Sequence, residues 1–326
     1  PTAEGKRHHL SARHDNNMYG KKNFYTDEKG NLKYRTKISN NAMMHEIFKG
    51  DCVAQTTELQ HHEETLLHYL ASPAAILRAY LIMLKGSNSF KRKSAIAITD
   101  AEDVNFSQTY LETFSRSGSK NMNAEETDNS FFKKETTGDV TYTAEASINL
   151  QELQFMSLSE KFDRLSFNPD LFSRYKKILK MQMPKFNSEL GYYLLKTSNI
   201  KIPELGFLFS NEDVVFLTKE FVTRLCQFNM EKRGGYARIA EVQYKLITDP
   251  IEHMFDKNSG WVTLKSSKDI DSINFTVDPS YVETDFKAAH QLISDIENDV
   301  KQAKEQAKEK VAAKNQAQEK VAAKKQ

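Results

Sequence analysis

The sequence predicts an α+β protein in which an antiparallel sheet is covered on one face by helices. Three observations carry that reading. From Val140 to Leu150 the chain alternates with period two. Val140, Tyr142, Ala144, Ala146, Ile148 and Leu150 fall on one side, and Thr141, Thr143, Glu145, Ser147 and Asn149 on the other, as in a strand with one buried and one wet face. Val214, Leu217, Phe221, Val222, Leu225 and Phe228 recur at three and four, the mark of a helix with one face in the core. Around these two, strand and helix segments follow one another too irregularly for repeated βαβ units.

Taken in order, residues 1–30 are polar, carry histidines and lack apolar periodicity, so they read as loop or an extended arm that adds little to a core. The chain opens on Pro1 rather than Met, which leaves room for residues upstream, a first strand among them. Lys33–Ile38 reads as a short strand, followed by a helix start at Ser39, Asn40 and Asn41, all good caps. Glu58–Leu70 has helical spacing. Ser72-Pro73 opens a further helix running to Leu84, ended by Gly86-Ser87-Asn88-Ser89. Lys91–Thr99 reads as a strand with a cationic start, and Asp100–Met122 as an excursion rich in Ser, Asn and Gly. Ser130–Phe155 then leads two aromatics and two lysines, Phe131, Phe132, Lys133 and Lys134, through a Thr-Gly-Asp turn into the alternating strand.

Asn168-Pro169 starts a helix carrying Leu171, Tyr175 and Ile178, and Asn211 caps the long core helix. Glu231–Thr248 holds Gly234-Gly235 and then Val242, Tyr244 and Leu246 in alternation, while Trp261–Leu264 and Ile270–Val277 read as a last pair of strands. From Tyr281 the chain is helix-forming and charged. It ends in two near-identical repeats, AKEKVAAKNQ and AQEKVAAKKQ (307–326), whose few large apolar residues predict a solvated helix. The domain division is therefore a polar arm (1–30), a body with insertions (31–280) and a helical tail (281–326).

The totals restrict function. With 326 residues and 39% apolar content, the chain is long enough for one large domain with insertions. A net charge of +2 excludes a uniformly basic coat, so an anionic partner has to be met by local patches. Such patches exist: nine Lys or Arg against four acids in residues 1–45, four cations and no acid in Lys85–Lys93, and five cations and no acid in Leu171–Ser188. Cys52 and Cys226 are too few and too far apart for a disulfide framework or a thiolate zinc site, which points to a reducing compartment. No apolar run nears the roughly 18 residues that span a bilayer. A cytoplasmic protein with no membrane partner is expected.

His61, Glu64 and His68 lie three and four apart, yet HHEETLLH lacks the HExxH spacing, and a wet helix face is the favoured reading over a metal site. No Gly-x-Ser-x-Gly, Walker or dinucleotide loop occurs, so neither metal nor cofactor is expected and no catalytic residue is assigned. Gly234-Gly235, between Lys232-Arg233 and Tyr236 to Arg238, is either a backbone approach to phosphate flanked by cations or a tight turn before a strand. Lys91-Arg92-Lys93 is either a solvated run or a set of cations fixed at a strand start. Phe131 and Phe132 either meet bases beside Lys133 and Lys134 or belong to the core, and composition alone favours the core.

Three stretches carry a resemblance: ISNNAMMHEIF (38–48), LRAYLIMLKGSNSFKRKSAIAITD (77–100) and SFFKKETTGDVTYTAEASINLQELQFMSLSEKFDR (130–164). Together, and more loosely with Glu231–Thr248, they resemble the CRISPR-associated backbone subunit of the Cas-seven family in the RAMP superfamily, most similar to type IV and variant type I-F forms. The resemblance implies an RRM/ferredoxin-like palm with inserted finger and thumb elements, the thumb within about Asp103 to Asp139. It implies a non-catalytic crRNA-binding filament subunit of a Class 1 effector complex. Its partners would be crRNA, copies of itself, other effector subunits and a target nucleic acid, DNA rather than RNA, met by guide pairing. Carried over by position, the RNA contacts would be Ser39, Asn41, His45, Arg78, Lys91, Arg92, Lys93, Phe131, Phe132, Lys133, Lys134, Arg233, Gly234, Gly235, Tyr236 and Arg238. Two departures stand out: Met44 and His45 occupy a helix where relatives carry a basic residue, and Ala79 follows Arg78 where a glycine is common. The alternative is a RAMP-superfamily ribonuclease that processes or cuts RNA.

Overall fold

Seven antiparallel strands form the largest sheet of the computed structural model, which describes residues 2–6, 12–14, 17–19, 21–49, 63–82, 90–119, 127–158, 171–183, 185–196, 203–232, 235–248, 250–278 and 280–284. The strand order is Asn229–Lys232, Gly235–Glu241, Thr2–Lys6, Val140–Thr143, Ala101–Asp103, Leu32–Ile38, Lys22–Thr26. Thr2–Lys6 is thus an inner strand, with Ala3 opposite Tyr142 and Glu4 opposite Arg238. The reading of residues 1–30 as loop or arm fails there. A five-residue strand held by backbone hydrogen bonds on both sides needs no apolar alternation of its own. It fails again at Lys22–Thr26, paired with Leu32–Ile38. The turn between them is fixed by the Asp27 carboxylate, which accepts from the Lys29 and Asn31 amides, and by Gly30 at φ 82°.

The pleat separates two faces. Tyr142, Val140, Ala101, Asp103, Ile38, Thr36, Ala237 and Met230 are buried on one. Thr141, Thr143, Glu102, Lys37, Arg35, Tyr236 and Arg238 lie on the other, more open one. On the buried side, helix Asn40–Ile47 lies against Asn229–Lys232 and helix Asn211–Cys226 against Gly235–Glu241. The latter is the long core helix expected from its periodicity, burying Val214, Leu217, Phe221, Val222 and Leu225. Its cap is Ser210 rather than Asn211, in a capping box with Asp213. Asn211 instead donates to the Phe275 carbonyl and accepts from the Val277 amide, tying down a later loop.

Three other expected elements differ. The helix opened by Ser72-Pro73 stops at Leu77, and Tyr80–Ile82 is a strand paired with Phe90–Arg92. The alternating segment bends after Thr143, so that Ala146–Ile148 pairs with Ile96–Ile98 while the in-out order of its side chains persists. Ser267–Ser272 is helical where a strand was expected at Ile270, because Ser266 and Asp269 form a capping box. A further sheet, Phe155–Ser157, Glu204–Leu208, Gly191–Leu195, Tyr281–Thr284, completes the body. There a Cβ on Gly206 would lie 2.4 Å from the Met156 carbonyl oxygen, so only glycine fits. Tyr281–Thr284 is thus a strand held by Gly191–Leu195 where a helical tail was expected to begin, and the duplicated tail lies outside the described residues.

Candidate nucleic-acid interface

The cationic stretch Lys91-Arg92-Lys93 divides on folding. Strand Phe90–Arg92 alternates, and Arg92 points inward at 7% exposure, while Lys91 is half-buried and Lys93 exposed. The Arg92 guanidinium donates through Nε to the Ile76 carbonyl at 3.1 Å and through Nη2 to the Glu152 carbonyl at 3.3 Å. Those carbonyls belong to the helices Pro73–Leu77 and Leu150–Gln154, whose negative dipole ends offset the buried charge. Burial pulls the guanidinium pKa below its ordinary value. Arg92 therefore lies away from any external strand, and its expected role as an RNA contact is corrected to one inside the core. Lys93 Nζ reaches Glu152 Oε1 at 3.4 Å. Arg78, half-buried, is the C-cap of Pro73–Leu77 in extended conformation. Arg78 on one segment, and Lys91 and Lys93 on another, thus sit on two of the three backbone segments that meet around one guanidinium, the third being Leu150–Gln154.

A second group gathers at the sheet edge. Asn41 and His45 are exposed one turn apart on Asn40–Ile47, while Met43 and Ile47 are buried. Ser39 occupies the N-cap without capping through its side chain, and the Asp100 carboxylate does that work, accepting from the Asn40 amide at 2.8 Å. Lys37 Nζ lies 2.7 Å from the same carboxylate, and this hydrogen bond holds the Asp100 pKa below its usual value. Because this helix lies beside Asn229–Lys232, it is adjacent to the hairpin in which Lys232 pairs with Gly235. Tyr236 and exposed Arg238 stand two residues apart on that hairpin, the guanidinium 5.3 Å from the ring centroid. Arg233 and Gly234 lie outside the described residues.

The third group stands on a long hairpin, Thr109–Ser119 with Thr127–Thr137, which falls inside the span 103–139. Phe131 and Phe132 pair through their backbones with Ser115 and Phe114, and their side chains lie outside the described set. Exposed Lys133 is opposite Thr113, and half-buried Lys134 opposite Glu112. At the base, buried Glu135 accepts from Lys22 and Thr109. Near this base Arg35 lies over two rings, 5.1 Å from the Tyr25 centroid and 4.3 Å from that of Phe106. Phe106 is 41% exposed at φ 53°, a conformation bulky residues rarely adopt. Asp103 imposes it by accepting from the Asn105 and Ser107 amides. The sequence reading passed over these residues. Their signal was NFYT and LKYRT on either side of DEKGN, a hairpin pattern.

Of the metal candidates, His61 lies outside the described residues. Glu64 is engaged by Arg174 and lies 3.8 Å from His68, and no cluster of metal-ligating side chains occurs among the described residues. No helix there is long and apolar enough to cross a membrane. Residues 11–259 match the family of type I-Fv CRISPR-associated proteins described as Cas7fv-like. The chain belongs to that family. It is a Cas7 backbone subunit of variant type I-F, one of the two forms its sequence resembles. The Cas7fv-like region takes in Arg78, Lys91 and Lys93, the long hairpin, and both strands of the glycine hairpin, while Thr2–Lys6 and the duplicated tail lie beyond it. A search of curated proteins finds no match.

Proposed function

We propose that the chain is a non-catalytic, crRNA-binding filament subunit, with an RRM-like palm at the seven-stranded sheet and a thumb at the long hairpin. Copies stack along the guide, in company with other effector subunits, and present it for pairing with a target nucleic acid, DNA rather than RNA. The observation that carries the reading is the family match across residues 11–259. The placement of the cations adds to it. Arg78 and Lys93 are fixed just beyond packed elements and Lys91 within one, Asn41 and His45 stand beside the hairpin of Gly235, Tyr236 and Arg238, and Lys133 and Lys134 ride on the long hairpin. A subunit repeated along RNA has no need to read bases, so phosphate contacts suit it.

The test is to purify the protein from cells that carry a CRISPR array and sequence the RNA that travels with it. Repeat-derived guide is the expected result, and its absence overturns the reading. Affinity for a single-stranded RNA should fall with salt by a slope of roughly 0.7 per neutralised phosphate. Guide and labelled target RNA, incubated with the protein, should both stay intact. Discrete cleavage would favour the ribonuclease instead.

A further inference from the structure

We infer that Arg92 is a positioning residue, a buried fork that fixes the segment bearing Arg78 against its own strand, which bears Lys91 and Lys93, and so presents the three cations as one phosphate-binding unit. The inference rests on the RNA-binding reading above and adds to it a residue that never touches RNA.

The geometry is specific. Arg92 holds the Ile76 carbonyl, two residues before Arg78, and the Glu152 carbonyl, whose own side chain meets Lys93. Its backbone pairs with Tyr80, two residues after Arg78. Arg78 is therefore bracketed on both sides by one residue. Ser94 supports the same frame, its hydroxyl 2.6 Å from the Ile96 carbonyl and 3.4 Å from the Leu77 carbonyl. A planar guanidinium spans two carbonyls at fixed spacing, which an ammonium or an apolar side chain does not do. A cation in the core is costly unless its hydrogen bonds are made. An apolar residue of equal size would leave both carbonyls without this donor, so the fork ties together the two helices that it bridges as well as filling the core.

The experiment compares wild type, R78A, R92M and the double variant, binding a fluorescent oligouridine of fixed length across a salt series. R78A should lower the salt slope by roughly 0.7, the loss of one single-strand phosphate contact. R92M, which keeps volume but not donors, should lower the slope at least as much, with the double variant no lower than R92M alone. A thermal melt run in parallel separates folding from binding, because loss of stability by itself does not change a salt slope. Should R92M fail to fold, R92K takes its place with the same two readings, since lysine keeps the charge but offers no fork. A wild-type slope in the folded Arg92 variant, with R78A reduced, overturns the positioning role and leaves RNA binding intact. No salt-dependent binding by the wild type overturns both.

Discussion

Two stretches of this chain look alike on paper and fold into different situations. Phe90-Lys91-Arg92-Lys93 and Phe131-Phe132-Lys133-Lys134 each place cations after aromatics on a strand. In the first, two helices close over the strand, so the middle one of its three cations is swallowed and bonded to a carbonyl of each. In the second, the strand belongs to an eleven-residue ladder, and the anchorage to the main sheet is seen at its base, where Glu135 meets Lys22 and Thr109. The difference teaches that the number of elements packed on a strand, more than the strand's own letters, decides whether a lysine or arginine is frame or contact.

Breaking the first region should have the largest effect. Arg92→Ala leaves a void and two buried carbonyls without donors, and should cost about 3 kcal/mol, read as a shift of the denaturation midpoint at unchanged m-value. Next comes the hairpin base. Glu135→Ala strands a half-buried Lys22 and should cost about 2 kcal/mol. Its effect should be concentrated in faster amide exchange across Thr109–Ser119 and Thr127–Thr137, with the Arg92 junction still protected; a uniform loss would show that the hairpin and the body open together.

Smaller effects sharpen the contrast at the helix bearing Asn41 and His45. The Asp100 pKa is depressed by Lys37, so its contribution is present above the unfolded carboxylate value, near pH 4, and is lost as pH falls through the lower folded value. Asp100→Asn should therefore remove a few tenths of a kcal/mol at neutral pH and flatten the acid limb of the stability curve. Lys93→Ala should change stability least, by under about 0.5 kcal/mol, because its pair with Glu152 is exposed. It should nevertheless weaken RNA binding at low salt, the reverse of what a merely structural lysine would do.

Much of the body was legible. The long core helix and the in-out order of residues 140–150 follow from periodicity, and the strand at Lys33–Ile38 is where alternation puts it. The three quoted stretches also led to the Cas-seven family, which the match over residues 11–259 bears out. The misses have physical causes. Thr2–Lys6 is made a strand by its neighbours' hydrogen bonds, and the helix expected to reach Leu84 is cut at Leu77, where Arg92 takes a carbonyl that a longer helix would use internally. The Arg35, Tyr25 and Phe106 group escaped because its members are distant in sequence and meet only through the sheet register.

By itself the sequence determined the periodic elements, the family and the supply of local cations, since these depend on residues close together along the chain. The tertiary structure decided which cation is buried, which caps act at a distance and where the first strand belongs. Those outcomes depend on partners far along the chain, Ile76 for Arg92, Asp100 for the Asn40 amide, and Tyr142 and Arg238 opposite Ala3 and Glu4, and no local pattern specifies them.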